Sequence, residues 1–383
     1  MIKPNPFTPK SGLEPKVFIN RQDEINLFNE RIKNAKAGNI NHYIINGQWG
    51  SGKTTLLRYF RLIAQEKNCY ASYFLAREIA ENTPDIEICA HIIQSILRNI
   101  PSKLIKKGSN TSKTISGFGI QILGSGFNMS FDTVKGNIID PQIFLADSLL
   151  NIWKDISKET EVLIILIDDV QNYSKVQRIF TIIKNVLSEQ KIIQETKILF
   201  ILSSTIEGWK PFIKKNHPIG RFFIPRIELN NFQKKETIEL IDKILKNSGV
   251  MFTDFVKENI YKYTKGHLFQ IHALGHALYD NQKKGKVTKK EWENGFEEGL
   301  AYLGNSVYDG IIHKVSDNEL EIIKNLKPVS SNKITEIKKR VKVKSLNEYL
   351  RRLVDKRILK SPKRGEYVIC DRMLWEYIQR KSR

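Results

Sequence analysis

The sequence predicts an α/β protein in which a parallel sheet is followed by a helical region and then by a small basic module. One observation is a short apolar strand that runs into a glycine-rich loop at 47–54 and continues as a helix. Another is an aliphatic strand at 162–167 that ends in two aspartates. Strands that alternate with helices in this way pair in parallel and carry helices on both faces of the sheet. After Phe232 the pattern becomes purely helical, which marks the end of the sheet.

The amino-terminal part alternates regularly, after an arm of about 20 residues that is expected to lie over the surface. The predicted helices cover 22–37, 55–64, 84–96, 144–156 and 173–187, and the predicted strands cover 42–45, 70–75, 162–167, 197–202 and 222–229. Thr83 is the expected cap of the third helix, with Pro84 in its first turn. The stretch 118–131 alternates like a hairpin around Gly-Ser-Gly, within an insertion over about 106–137.

The loop at 47–54 has the complete G-x-x-x-x-G-K-[ST] pattern of a phosphate-binding loop, GQWGSGKT. Gly50 and Gly52 allow the backbone to turn so that several N–H groups converge on triphosphate oxygens, and the following helix adds its positive end. Lys53 is expected to reach the β- and γ-phosphates, and the Thr54 hydroxyl is expected to hold Mg²⁺. The nucleotide contacts predicted here are Gly47, Gln48, Trp49, Gly50, Ser51, Gly52, Lys53, Thr54 and Thr55.

The acidic end of the strand at 162–167 supplies the second chemical motif. Asp168 is predicted to hold Mg²⁺ beside the phosphate loop, and Asp169 to orient or deprotonate an attacking water. The strand at 197–202 ends in Ser-Ser-Thr, and Ser204 would face the γ-phosphate if this strand lies between those carrying Lys53 and Asp168. The alternative for Ser204 is the ordinary polar start of a loop.

Arg221 is the candidate for a catalytic arginine. It stands just before the last predicted strand, from where it could reach the nucleotide of a neighbouring subunit and stabilise transition-state charge. The alternative is a solvated surface side chain.

Composition limits the class of protein. The chain has 383 residues, enough for two or three domains, and a net charge of +21 that favours a polyanionic partner, although a general lysine bias would give the same charge. The longest aliphatic run is too short to cross a membrane, and the first ten residues contain no apolar signal segment. Three scattered cysteines are typical of free thiols in a reducing compartment, so the sequence predicts a cytoplasmic protein without a membrane partner.

The carboxyl-terminal 68 residues, 316–383, have the pattern of a winged helix-turn-helix: three short helices and then a basic hairpin. They hold 19 Lys or Arg and 9 Asp or Glu, a net charge of 19 − 9 = +10. The third helix would enter a major groove and the hairpin would meet phosphates. The predicted DNA contacts are Lys344, Asn347, Arg351, Arg352, Lys360, Lys363 and Arg364. The alternative is a module that docks a protein. Predicted domains are therefore 1–230, 231–310 and 316–383.

Taken together, these motifs resemble the P-loop ATPases of the AAA+ and STAND groups, and they are similar to prokaryotic origin-recognition-initiator-like ATP-binding proteins with a carboxyl-terminal winged helix. The segment FINRQDEI at 18–25 resembles the family's FxGRxxEI segment, with Asn20 where glycine is usual. The resemblance implies an AAA+-type parallel sheet with a helical lid, ATP as the nucleotide, and Arg21 as a contact near the adenine.

Two departures from the family's pattern bear on activity. The acidic pair is Asp-Asp where AAA+ members usually carry Asp-Glu, and the shorter Asp169 implies slow hydrolysis of ATP to ADP and phosphate. The segment TKGHL at 264–268 resembles the STAND "GHP" turn with Leu268 in place of proline, which implies His267 as a contact from the lid to the phosphates.

Two functions follow from this pattern. The first is an ATPase that couples its nucleotide state to double-stranded DNA binding through the winged helix. The second is a STAND-like switch whose winged helix docks a protein partner in signalling, defence or a mobile element. Either function allows a homo-oligomer, because Arg221 would act on a neighbouring copy.

Overall fold

The computed structural model describes residues 3–9, 18–101, 120–123, 126–129, 140–215 and 217–381. The chain divides into two compact units. One unit is Gly12–Asn230, and the other combines Met1–Ser11 with Asn231–Arg383. The first residues of the chain therefore belong to the same unit as the last.

A five-stranded parallel sheet forms the centre of the first unit, as the sequence predicts. From one edge to the other its strands are Tyr70–Leu75, Leu163–Asp168, Ile198–Ser204, Tyr43–Gly47 and Arg226–Leu229. The strand Ile198–Ser204 lies between the strand that leads into the phosphate loop and the strand that carries Asp168. This order brings the carboxyl ends of the three chemically important strands side by side.

Helices cover both faces of the sheet because successive strand residues point to opposite sides. Ile164 and Leu166 pack in one buried cluster with the helices before and after the phosphate loop, whereas Ile165 and Ile167 pack in another. The helices of this unit are Gln22–Lys36, Lys53–Glu66, Asp85–Leu97, Pro141–Ile156, Arg178–Leu187, Gln190–Glu195, Ile206–Lys215 and His217–Phe222, with a 3₁₀ helix at Val170–Val176.

Several predicted boundaries in this unit were wrong, among them the start of the helix expected at 144–156, which begins at Pro141. The strand expected at 222–229 begins at Arg226, because Phe223 leaves the preceding helix to enter the core beside Trp209 and His42. The helix expected from 173 is a 3₁₀ helix at first and becomes α-helical at Arg178. The third helix takes Pro84, not Thr83, as its cap residue, and no side chain caps it.

The predicted hairpin in the insertion is present where the chain is described. Ile120–Leu123 pairs antiparallel with Gly126–Met129. The two turn residues and the rest of the predicted insertion lie outside the described residues.

The second unit begins with a helical part that the sequence also predicts. Its helices are Lys234–Leu245, Asp254–Thr264, Leu268–Asp280, Lys289–Leu303 and Asp309–Ile312, with a π-helical turn at Gly304–Tyr308. Two short strands, Met251–Phe252 and Lys286–Val287, pair in parallel within it. No described helix has the length and apolar character needed to cross a membrane.

The amino-terminal arm packs into this helical part and does not simply lie over its surface, which corrects the prediction. Phe7 is 2% exposed and stacks on Phe252, and a Cβ on Gly275 would lie 2.4 Å from the Phe7 ring. The Thr8 N–H donates to Nδ1 of His272 at 3.2 Å, and Tyr279 donates to a backbone carbonyl of the arm at 2.8 Å. The arm is thus part of the core of the second unit.

The carboxyl-terminal region has three helices, Asp317–Lys324, Ile334–Arg340 and Leu346–Asp355. Its strands Asn332–Lys333, Glu366–Ile369 and Leu359–Lys363 form an antiparallel sheet in that order. Ser316 caps the first helix in a capping box. Ser345 precedes the third helix in a left-handed conformation, and its side chain makes no capping hydrogen bond.

A final helix, Arg372–Lys381, which the sequence analysis did not predict, joins this region to the helical part of the same unit. Asp371 accepts hydrogen bonds from Gln270 at 2.7 Å and from Tyr308 at 3.1 Å. A Cβ on Gly304 would lie 2.3 Å from the ring of Tyr377, so only glycine permits this close approach. The carboxyl-terminal region is therefore closely packed on the helices that precede it.

Candidate nucleotide-binding site

The phosphate loop has the backbone shape that its glycines predict. Gly50 and Gly52 have φ angles of 73° and 94°, in the left-handed region that favours glycine. Gly52 is the cap residue of the helix Lys53–Glu66, so the unpaired N–H groups of that helix open into the loop. Gly47 leaves no room for a side chain, because a Cβ there would lie 2.4 Å from the Ser51 hydroxyl oxygen. A concave set of backbone donors results, suited to phosphate oxygens.

Lys53 lies within the loop, with only 5% of the residue exposed. Its Nζ donates to the carbonyl oxygens of Gly47 and Gln48, both at 3.0 Å. Burial lowers the pKa of the ammonium group, and the negative charges of Asp169 and Asp168 oppose that shift. A triphosphate would offer this buried cation full negative charge in place of two neutral carbonyls.

Asp168 is fully buried, and four donors surround its carboxylate. Oδ2 accepts from the hydroxyls of Thr54 at 2.6 Å and Tyr73 at 2.9 Å. Oδ1 accepts from the Ser203 hydroxyl and from the Asp169 N–H. A buried carboxylate needs such partners, because an unpaired charge away from water is costly.

The pair of Thr54 and Asp168 fits a magnesium ion. A hydroxyl and a carboxylate oxygen 2.6 Å apart are hard oxygen ligands of the kind that Mg²⁺ prefers. Within the described residues no three His, Cys, Asp or Glu side chains gather as a metal cluster. An ion held by Thr54 and Asp168 would therefore complete its coordination with phosphate oxygens and water.

Asp169 has a left-handed backbone, with a φ of 53°, which turns the chain sharply after the strand. Its Oδ1 accepts from Nε2 of Gln171 at 2.9 Å, and Oε1 of Gln171 accepts from the Thr205 N–H at 3.2 Å. The Asp169 N–H also lies 3.0 Å from the Ser203 hydroxyl oxygen. The carboxylate is thus tied to the end of the neighbouring strand.

Two side chains of this site were missed by the sequence analysis. Ser203 contacts both aspartates, whereas the predicted Ser204 points to the other face of the sheet and its hydroxyl has no partner among the described residues. Tyr73 reaches Asp168 from the neighbouring strand, and the Arg58 guanidinium carbon lies 5.2 Å from the centre of its ring. The alternation of strand residues could have favoured Ser203 over Ser204. No sequence pattern indicated Tyr73. Nucleotide contact by Ser204 stays a prediction.

The three remaining predicted residues lie in different places. Arg21 donates to the carbonyls of Ser51 at 3.3 Å and Asn230 at 3.1 Å, which places it beside the phosphate loop. Arg221 is exposed and precedes the amino end of its strand, whereas the phosphate loop follows the carboxyl end of the adjacent strand. His267 belongs to the second unit, at the start of Leu268–Asp280. The roles of Arg221 and His267 stay predictions.

All seven predicted DNA contacts in the carboxyl-terminal region are exposed. Lys344, Asn347, Arg351 and Arg352 lie at or just before the helix Leu346–Asp355, and Lys360, Lys363 and Arg364 lie on the hairpin. Arg352 forms an ion pair with Glu348 at 2.5 Å and lies over the Tyr349 ring. Gly365 turns the hairpin with a φ of 76°. The surface is basic and accessible.

Comparisons with known proteins bear on the family and the fold. A family model described as an ATPase domain predominantly from Archaea matches residues 18–274. No curated protein matches the chain.

Three solved structures share the fold over almost the whole chain. A Walker-type ATPase of Pyrococcus abyssi has a TM-score of 0.64 at 13% identity, covering 98% of this chain and 99% of that one. The ORC2 protein of Aeropyrum pernix, in ADPNP and ADP complexes, has a TM-score of 0.64 at 15% identity, with 99% and 98% covered. The ORC1 protein of Aeropyrum pernix in complex with DNA has a TM-score of 0.50 at 12% identity, with 99% and 97% covered. These matches confirm the predicted α/β fold with a five-stranded parallel sheet.

Proposed function

The chain belongs to the family of ATPase domains found predominantly in Archaea, and from that membership we propose that it binds ATP with Mg²⁺, hydrolyses it slowly, and couples the nucleotide state to the binding of double-stranded DNA. In this proposal the carboxyl-terminal region binds the DNA and acts as a winged helix. We further propose three domains, at 1–230, 231–310 and 316–383, with residues 1–11 of the first packed into the second unit.

The observation that carries the nucleotide proposal is the contact between Thr54 and Asp168 beside the buried Lys53. A phosphate loop, a hydroxyl and a carboxylate meet at one edge of the sheet, which is the arrangement a magnesium triphosphate requires. Mg²⁺, when bound, would neutralise charge on the phosphate oxygens. Lys53 would hold the β- and γ-phosphates, and Arg21, which donates to the Ser51 carbonyl, would contact the nucleotide near the adenine.

Slow hydrolysis is supported by the environment of Asp169. A carboxylate that orients or deprotonates water must reach that water, and this one is hydrogen-bonded to Gln171 at 2.9 Å. The aspartate is also one methylene shorter than the glutamate usual in AAA+ members. An arginine from a second copy of the chain, Arg221, would add transition-state charge stabilisation.

DNA binding is supported by the exposed basic side chains on one helix and one hairpin of the carboxyl-terminal region. Three helices and a three-stranded antiparallel sheet allow the third helix to enter a major groove while the hairpin meets the backbone. The Aeropyrum pernix ORC1 structure contains DNA, and a shared fold makes the same kind of ligand a reasonable one to test here.

The test is fluorescence anisotropy of labelled duplex DNA, with and without ATP and Mg²⁺, at two salt concentrations. Binding that weakens steeply with salt and tightens with nucleotide in the wild type, but not in Lys53→Ala, is the expected result. An absence of DNA binding in every nucleotide state would overturn the DNA proposal and favour the protein-docking switch. If the DNA affinity of the wild type and of Lys53→Ala did not change with nucleotide, only the proposed coupling would be overturned.

A further inference from the structure

We propose that Tyr73 is a positioning residue for the Asp168 carboxylate and that it stabilises the Mg²⁺-bound form of the nucleotide site. This inference rests on the proposed binding of ATP with Mg²⁺ at that site. It concerns a residue outside the phosphate loop and the acidic pair, on the edge strand of the sheet.

The sheet places Tyr73 within reach of Asp168. The strand Tyr70–Leu75 pairs in parallel with Leu163–Asp168, and Tyr73 is opposite Leu166 in the register. Alternate residues share a face, so Tyr73 and Asp168 lie on the face that also carries the helix after the phosphate loop. The Tyr73 hydroxyl donates to Oδ2 of Asp168 at 2.9 Å.

Thr54 and Tyr73 both donate to Oδ2 of Asp168, but only Thr54 is also expected to bind the metal ion. Thr54 donates to this oxygen at 2.6 Å, but its hydroxyl is also the predicted metal ligand of the phosphate loop. A hydroxyl that turns a lone pair towards the ion gives up its present contact. Tyr73 has no such second task, so its hydrogen bond remains to hold Oδ2 in place.

Arg58 fixes the phenol ring from the other side. This residue lies on the helix Lys53–Glu66, one turn after Thr54, and its guanidinium carbon is 5.2 Å from the centre of the Tyr73 ring. A phenol is protonated at neutral pH, so the Tyr73 hydroxyl is able to donate. A ring held by one helix and a hydroxyl directed at one carboxylate oxygen form a rigid support.

The experiment compares nucleotide affinity with and without the metal ion in Tyr73→Phe, which removes only the hydroxyl. Isothermal titration calorimetry with AMP-PNP in EDTA and then in saturating Mg²⁺ gives a ratio of dissociation constants, which measures how strongly the ion favours the bound nucleotide. Loss of a residue that supports a metal ligand typically weakens metal affinity by about 10- to 100-fold. We expect the ratio to shrink by about tenfold in Tyr73→Phe, with the affinity in EDTA unchanged.

Tyr59→Phe is the matched control. Tyr59 lies next to Arg58 on the helix Lys53–Glu66, and its ring stacks on Phe18 with centroids 4.3 Å apart. The variant therefore also removes a phenol hydroxyl beside this helix. We expect the wild-type ratio in this control. Thermal denaturation of each variant verifies that the fold is retained.

Each other outcome overturns the inference in a recognisable way. A wild-type ratio in Tyr73→Phe would show that the hydroxyl does not support the ion. An equal loss of affinity with and without Mg²⁺ would assign Tyr73 a purely structural role. If the wild-type protein itself bound AMP-PNP no more tightly with Mg²⁺ than in EDTA, the proposed function would fail first and the inference with it.

Discussion

The nucleotide site and the basic face of the carboxyl-terminal region are built in opposite ways. The side chains of Thr54, Tyr73 and Ser203 donate hydrogen bonds to Asp168, and the carboxylate itself is fully buried. On the basic face Lys363 and Arg364 are exposed on a hairpin, and their common property is charge. A single substitution should therefore abolish the function of the nucleotide site, whereas each substitution on the basic face should weaken DNA binding only in part.

Among these predictions, Asp169→Asn in the nucleotide site should cause the greatest loss, namely in the rate of ATP hydrolysis. An amide cannot deprotonate water, and general-base catalysis contributes about 100- to 10,000-fold in rate, so ATP hydrolysis should fall by about 100-fold or more. ATP affinity should stay within about threefold of wild type, because Asp169 is tied to Gln171 and not to the phosphate loop. Phosphate release and calorimetry measure the two quantities.

Glu159→Gln makes the same kind of exchange at an exposed position of the same unit and should change neither quantity. An Asp169→Asn protein that hydrolyses ATP at the wild-type rate would remove Asp169 from the reaction.

The next effect concerns Lys53→Ala. Charge-assisted hydrogen bonds are worth about 1.5 to 3 kcal/mol each, so ATP should bind about 10- to 100-fold more weakly. The fold should survive, because the hydrogen bonds of the ammonium group among the described residues go to the backbone carbonyls of Gly47 and Gln48. Calorimetric titration with ATP and Mg²⁺ measures the loss.

Lys67→Ala, just past the end of the same helix and exposed, should bind ATP as the wild type does. Equal affinities for the Lys53→Ala protein and the wild type would mean that the loop does not use its lysine.

A smaller effect for each residue is expected on the basic face. Changing Arg351, Lys363 and Arg364 together to glutamine should lower the slope of log affinity against log salt by about three, since each phosphate contact contributes about one. The loss should be nearly the same for different DNA sequences. Anisotropy titrations across a salt series measure the slope.

A matched triple change in the other unit, at the exposed Lys154, Lys158 and Lys191, removes the same charge and should leave the slope unchanged. If both triple variants lost DNA affinity equally, net charge and not this face would account for binding.

Lowering the pH should destabilise the sheet through His42, and residues 316–383 have no histidine that could act in the same way. Burial lowers the pKa of His42 to about 3, and its Nδ1 accepts from the Phe200 N–H at 3.0 Å, whereas residues 316–383 contain no histidine. Below about pH 6.5 His42 takes up a proton in the unfolded chain but stays neutral in the folded protein. The free energy of unfolding therefore falls as the pH decreases from about 6.5 towards 3. The contribution of His42 is at most about 1.4 kcal/mol per pH unit.

His42→Asn should reduce the pH dependence of the denaturation midpoint between pH 6.5 and pH 5. Its amide oxygen can accept from the same N–H, but an amide does not titrate. An unchanged pH dependence in this variant would mean that His42 is already protonated in the folded protein at those pH values.

Motifs formed by consecutive residues could be predicted from the sequence. Contacts that depend on which face of a strand a side chain occupies could not. The phosphate loop and the acidic strand follow from motif and alternation, whereas the middle position of Ile198–Ser204 was only a condition in the sequence analysis and is supplied by the structure. Tyr73 could not be found in this way, because its role depends on the register of its strand against Leu163–Asp168. The same reason separates Ser203 from Ser204.

Packing between distant segments was equally hidden. The arm around Phe7 contains prolines and lysines, which indicate a surface segment, yet the ring fits against Gly275 in a helix more than 260 residues later. The approach of Gly304 to Tyr377 likewise depends on a π-helical turn that no local pattern announces. Side-chain shapes that match across the chain have no signature in a single sequence.

The docking of the arm through Phe7 has a consequence for how the protein is made. A ribosome adds roughly 5 to 20 residues per second, so Gly275 and its helix leave it about 15 to 50 seconds after Phe7 does. Before that helix exists, the Phe7 ring lacks the packing site that Gly275 provides. The arm can therefore join the core of its unit only after the helix Leu268–Asp280 has been made, about 270 residues later in translation.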